Sequence, residues 1–320
     1  MSEDAAMPRP PGTWTEQELS EDAQFARSAF VQSRLAALDS ERQTYLQAHA
    51  ANAVTVEKLM GASEYLLALT GASLQDREVL HLARQLAIPP ISVDDLDTLT
   101  DSCFGQWLGQ KTDRGKRPTP AEFAAAADLI SARLDTDRMP WLAAGREPST
   151  EELRMFAEWA AAAPAIARVL TERRNASSAR QEAATRNAAQ TAGYLPVKPP
   201  GTLSDPIAQM PAGSYSIASR KLNGTSMDTP VRLSEAHPTG LLFLAVECKV
   251  SNSSLNSRKR LIEVTRKREV WDGSATLYQS RTAAVLSGVF SLARLLEAQS
   301  SGVFIFWEHR LDDLTDFLRG

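Results

Sequence analysis

The sequence predicts a mixed α/β core (α+β or α/β) at the C-terminus, behind a large all-α N-terminal region. Three observations carry this. Over 14–190 the apolar residues recur at helical intervals. From 214 onward, short apolar strands alternate with helices. Between them, 191–213 holds Gly193, Pro196, Pro199, Pro200, Gly201, Pro206, Pro211 and Gly213, the composition of a linker.

Residues 1–13 are acidic and Pro-rich and read as a disordered tail. In 15–48, Phe25, Ala29, Phe30, Leu35, Leu38 and Tyr45 fall at helical spacing with charges between them, and 53–70 continues the pattern. After Pro89 and Pro90, Ser92 is a helix cap with Asp95 three residues on. Thr119 repeats this logic, with Pro120 at the first helical position and Glu122 three after the cap. A further helix starts near 149, with Pro164 as an expected kink. The strands expected beyond the linker are 215–219, 229–233, 241–250, 282–290 and 303–307. Helices are expected at about 256–271, 291–299 and 311–318.

Composition narrows the classes. With 43% hydrophobic and 23% charged residues the chain is that of a folded globular protein. No apolar run approaches the roughly 18 residues of a membrane span, so no membrane association is expected. The start lacks the basic and apolar regions of a secretory signal. Two cysteines, Cys103 and Cys248, make neither a disulfide framework nor a zinc cluster, which fits a reducing, cytoplasmic setting. The net charge of −4 is unevenly spread: 1–100 carries 15 acidic and 7 basic residues, 101–320 carries 24 and 28. The later part therefore admits a phosphate-binding surface.

The sharpest motif is "LLFLAVECKVSNS". Side chains alternate faces along a strand, so Glu247 and Lys249 share one face while Val246, Cys248 and Val250 share the other. Of the eight lysines, Lys249 alone has an acidic residue two positions before it. Eighteen residues separate Asp228 from Glu247, enough for a strand, the turn "SEAHPTG" and a returning strand. Such a hairpin brings Asp228 beside Glu247. The chemistry that wants this set is phosphodiester hydrolysis. Mg²⁺ prefers oxygen ligands and binds one or two carboxylates plus substrate phosphate, here Asp228 and Glu247, with the carbonyl of Cys248 as a further ligand. Lys249 would hold the attacking water and offset charge on the phosphate. The bland alternative is a surface ion pair on an edge strand.

The next segment, "SNSSLNSRKRLIEVTRKREVW", is basic, with Ser and Asn side chains at its start where a helix N-terminus can meet phosphate. For any single residue there, a solvated helix face is the alternative. The loop 109–118 and Arg168, Arg173, Arg174, Arg180 and Arg186 carry the same ambiguity. The histidines lack metal spacing and read as structural; His237, in the turn between the two strands, is the one that could reach substrate. Cys248 points away from Glu247 and reads as a buried thiol. Glu235 and Glu263 are conceivable extra ligands. No Walker-type phosphate loop is present.

Asp228 followed by Glu247-x-Lys249 on a strand resembles the PD-(D/E)xK nuclease pattern, with Met227 where that pattern places Pro. The text "ECKVSNSSLNSRKRL", "AAVLSGVF" and "AQSSGVFIFWEHRLDDL", with "AFVQSRLAALDSERQTYL" and "PPISVDDLDTL" earlier, resembles type II restriction endonucleases of the XamI family over roughly 25–318. The resemblance implies a restriction-endonuclease-like mixed sheet and Mg²⁺-dependent, site-specific cleavage of double-stranded DNA. It also implies a homodimer and pairing with a cognate DNA methyltransferase in phage defence. Carried over, Asp228 and Glu247 become metal ligands and Lys249 the catalytic lysine. Ser251, Asn252, Asn256, Lys259 and Arg260 match the text after the motif and are candidate DNA contacts.

Two other readings stand beside this one: a structure-selective repair nuclease of the same core, and a non-catalytic DNA-binding or assembly protein. Methylation sensitivity separates the first pair, and metal-dependent cleavage separates both from the last. The helical region carries no clear chemistry and is expected to embrace DNA or form the dimer, with the nuclease core at 214–320.

Overall fold

The structure, a computed structural model, describes residues 13–109, 116–272 and 279–320. The expected N-terminal tail and most of the basic loop 109–118 fall outside these residues. Contacts divide the chain into two units: residues up to Leu38 with Arg173–Gly320, and Asp39–Glu172.

After α1 (Glu16–Ala36), opened by a reciprocal capping box between Thr15 and Glu18, the second unit is built from helices. These are α2 (Leu38–Ala62), α3 (Arg77–Ala83), α4 (Val93–Thr100), α5 (Phe104–Gly109), α6 (Pro120–Ser131), α7 (Pro140–Ala144) and the first part of α8 (Thr150–Thr191). Both expected caps form. Ser92 Oγ accepts the Asp95 amide at 2.9 Å, and Thr119 with Glu122 makes a full capping box. The interior is apolar, with Phe104, Phe123, Trp107, Trp141 and Phe156 packed edge to face among leucines.

The first unit holds a six-stranded mixed sheet, ordered β1-β3-β6-β7-β8-β9. Its strands are β1 (Leu195–Val197), β3 (Ser214–Ser216), β6 (Thr229–Arg232), β7 (Phe243–Ser251), β8 (Ser280–Gly288) and β9 (Phe304–Trp307). A smaller sheet, β2-β4-β5, comprises Thr202–Leu203, Arg220–Leu222 and Thr225–Met227. β6 and β7 form the expected antiparallel hairpin, and β7, β8 and β9 run parallel. Parallel neighbours need crossovers, supplied by α10 (Ser254–Asp272) between β7 and β8 and by α11 (Leu292–Ser300) between β8 and β9.

The stretch 191–213, expected as a linker, carries β1, β2 and the short α9 (Pro206–Gln209), and β1 is an edge strand of the main sheet. An edge tolerates Pro196, which has no N–H to give. α8 likewise continues through Pro164 to Thr191 rather than ending before the sheet.

Helices cover both faces of the sheet. On one side Leu244 and Val246 of β7 pack with Ala188 and Ala189 of α8 and with Leu314 and Phe317 of α12 (Asp312–Arg319). On the other, Ala284 and Leu286 of β8 pack with Leu261 and Val264 of α10 and with Leu19 of α1. Burial on both faces makes β7 an almost continuous apolar run, interrupted by Glu247 and Lys249.

Candidate active site

The β6–β7 register pairs Thr229 with Val246. One step further along, Asp228 stands opposite Glu247, where the chain enters β6 from the smaller sheet. The ladder stops there and a side chain takes over: the Asp228 amide donates to Val246 O at 3.1 Å, and Asp228 Oδ2 accepts the Cys248 amide at 2.8 Å. The hairpin expected from the spacing therefore does bring the two carboxylates together. From the other sheet face, the buried Gln181 of α8 donates to Val285 O at 3.0 Å and Lys249 O at 3.4 Å, pinning β7 to β8.

Glu247 is 1% exposed and Lys249 7%. Lys249 Nζ lies 2.7 Å from Glu247 Oε1 and 2.8 Å from Glu263 Oε1. Lys267 Nζ lies 2.5 Å from the same Glu247 oxygen and donates to Ser226 O at 3.0 Å. Helical geometry explains the fit. α10 returns along the face of β7, and four helical residues rise about 6 Å, close to the about 6.6 Å spanned by two strand residues. Glu263 and Lys267 thus match Lys249 and Glu247 in spacing and alternate with them in charge.

Among the described residues, the buried Glu247 Oε2 has no hydrogen-bond partner. Burial first, and then the charge of Asp228, push the Glu247 carboxyl above its ordinary range, against the pull of Lys249 and Lys267. Burial opposes the charge on Lys249, yet Glu247 and Glu263 outweigh it and raise its pKa. Glu263 is lowered: burial acts upward, and Lys249, Lys267 and Arg260 overcome it. Cys248 faces away, its Sγ 3.4 Å from Thr185 Oγ1, and burial drives its thiol strongly up, so it is no nucleophile.

The other expected residues divide. Asn252, Asn256 and Lys259 are exposed at the start of α10, with Asn256 Nδ2 donating to Asn252 Oδ1. Arg260 is half-buried, 3.8 Å from Glu263. Ser251 departs from its expected place on a DNA surface. It is fully buried and its hydroxyl donates to Ser253 O at 2.9 Å, so it shapes the turn into α10. His237 takes the structural role expected of the histidines, and not the alternative of reaching substrate: it is buried, 2.7 Å from both Thr239 Oγ1 and Phe317 O, and holds its turn against α12. Glu235 is largely exposed and pairs with Arg232, away from Glu247. The sequence placed Lys267 only in the basic run after the motif and not beside Glu247; the signal for that place is its i, i+4 spacing from Glu263 on the helix that follows the motif.

Among the described residues, no group of three or more His, Cys, Asp and Glu side chains is gathered for a metal. Mg²⁺ asks less, since it keeps several waters and takes one or two carboxylates. Asp228 and Glu247, the latter with its unpartnered buried oxygen, fit that demand. A buried carboxylate and a half-buried one beside two ammonium groups make a site suited to a hard cation and an anionic substrate.

Comparison with known proteins gives this class its family. The model of the XamI restriction endonuclease family matches residues 64–307. The type II restriction enzyme XamI of Xanthomonas campestris pv. amaranthicola is 32% identical over 280 residues, covering 85% of this chain and 96% of that protein. The chain belongs to the XamI restriction endonuclease family and is a type II restriction endonuclease. No solved structure matches it significantly. No helix among the described residues is long and apolar enough to cross a membrane.

Proposed function

We propose that the chain cuts double-stranded DNA at a fixed sequence with Mg²⁺, from a PD-(D/E)xK-type core whose active site is Asp228, Glu247 and Lys249. The observation that carries this reading is the buried, unpartnered Glu247 oxygen, beside Asp228 and on one strand face with Lys249. Leaving such an atom without a partner costs stability; Arg232 Nε and Trp307 Nε1 share that condition, and what sets this oxygen apart is its place on a carboxylate beside Asp228 and Lys249, which suits a cation ligand.

Asp228 and Glu247 hold the cation, with the Cys248 carbonyl as a further ligand. When bound, Mg²⁺ polarises the scissile phosphate and makes water a better nucleophile. Lys249, kept cationic by Glu247 and Glu263, orients the attacking water and offsets the charge gathering on the phosphate. Asn252, Asn256, Lys259 and Arg260 contact DNA from the start of α10. Their amide and cationic groups suit phosphates and base edges. The helical unit embraces DNA or forms a homodimer, whose two-fold symmetry would mirror a palindromic site. The enzyme pairs with a cognate methyltransferase in phage defence in the cytoplasm.

The test is digestion of unmodified plasmid and phage DNA with Mg²⁺ or EDTA. Discrete Mg²⁺-dependent fragments with uniform ends are expected. A smear without fixed ends, or no cleavage of any unmodified DNA, would overturn the proposal.

A further inference from the structure

Two lysines converge on one oxygen of Glu247, and they are held differently. Lys249 is bonded to two carboxylates and is nearly sealed from solvent. Lys267 has one carboxylate within hydrogen-bond distance, and its side chain is 19% exposed. Its ammonium also meets Ser226 O at 3.0 Å and lies 5.7 Å from the centroid of the Trp271 ring. Glu263 stands 3.7 Å away, a second carboxylate toward which the ammonium can swing. Of the two, Lys267 is the one that can let go of Glu247.

Formal charges give this a direction. Asp228, Glu247 and Glu263 bring three negative charges, and Lys249, Lys267 and Arg260 bring three positive ones. A divalent cation added alone leaves the cluster two charges positive, and a phosphate added with it lowers that excess. An ammonium on a cation's own ligand opposes that cation by direct repulsion.

Resting on the nuclease reading above, we propose that Lys267 is a positioning residue that competes with the divalent cation for Glu247. The site then takes up its cation tightly once a DNA phosphate has drawn Lys267 away. Cation uptake and DNA binding are thereby coupled, each strengthening the other by the same factor.

The experiment is calorimetric titration of the full-length protein with Ca²⁺, an oxygen-seeking probe. It is run on wild type, Lys267→Met, Lys267→Gln and Lys267→Arg, each alone and with a saturating mixed-sequence duplex, with melting temperatures beside it. Without DNA, Lys267→Met and Lys267→Gln should bind Ca²⁺ about tenfold tighter than wild type, the effect of removing one opposed charge. Both should gain less from added duplex, and Lys267→Arg should stay with wild type. Unchanged or weaker Ca²⁺ binding in a neutral variant that melts as a folded protein would overturn the proposal, as would equal gains from duplex in all four proteins. Failure of the nuclease reading shows separately, as wild type that cuts no DNA with Mg²⁺.

Discussion

The two units bury different chemistry. In Asp39–Glu172 the polar residues that reach the interior are neutral hydroxyls, Thr55, Ser63 and Ser73. Each is satisfied by a carbonyl four or eleven residues back: Ala51 O, Leu59 O and Ala62 O. The sheet unit buries Asp22, Arg220, Arg232, Glu247 and Lys249. Burying a charge costs stability unless it is paired and hydrogen-bonded. Arg220 and Arg232 meet main-chain carbonyls, such as Pro199 O at 2.9 Å and Leu242 O at 3.0 Å. Among the described residues, Arg232 Nε and Glu247 Oε2 each stay without a partner. Among the described residues the helical unit buries hydroxyls and leaves its charged side chains partly exposed, although Arg84 Nε is itself a buried atom without a partner, whereas the sheet unit buries whole charged side chains.

The largest expected effect breaks the comparison if it fails. Glu247→Gln removes the charge with little change of shape. It should reduce cleavage by more than the roughly 100-fold that losing an outer-shell partner of a metal site costs. Its pH behaviour sharpens the point. Because the folded-state pKa of Glu247 is raised, the native protein holds this proton more tightly than the unfolded chain. Stability of the metal-free protein should therefore improve as pH falls through that pKa. The stability difference between wild type and Glu247→Gln, followed by urea denaturation at several pH values, should move in favour of wild type on acidification. A move the other way would mean that Glu247 is net stabilised by its lysines.

Next in size is Trp141→Ala in the helical unit. Trp141 is fully buried and its indole donates to Tyr65 O at 2.9 Å. The cost should be about 3–5 kcal/mol, and hydrogen exchange should place the loss in Asp39–Glu172. Gly288→Ala probes the strand end beside the site. Gly288 has φ +99°, and a Cβ there would stand 2.1 Å from Ser251 O. Backbone strain alone should cost about 1–3 kcal/mol, and cleavage should fall with it, because β7 must shift at Ser251. Thr119→Ala removes a capping box far along the chain from the motif. It should cost about 1 kcal/mol in denaturation and leave the cleavage rate of the folded protein unchanged.

Much of this contrast was legible in the sequence because it is local. Alternation along 243–251 put Glu247 and Lys249 on one face, the 18-residue gap encoded the hairpin that returns Asp228, and the caps at Ser92 and Thr119 announced their helices. What stayed hidden depends on distant partners. β1 is a strand because β3 lies beside it, while its own Pro and Gly neighbours read as linker. Ser251 looked free because polar residues in turns usually face water, but Ser253 O holds it inside. Lys267 sits in a run of arginines and lysines whose single members look alike. Only the packing of α10 on β7 distinguishes the one that touches Glu247.

The most direct measurement is cleavage of unmodified DNA in Mg²⁺ by wild type, Glu247→Gln and Lys249→Met, with a melting curve for each. The account predicts fixed-site fragments from wild type, and none from two variants that melt as cooperatively folded proteins. Fragments at the same site from either folded variant would contradict the claim that this buried pair is the centre of the chemistry.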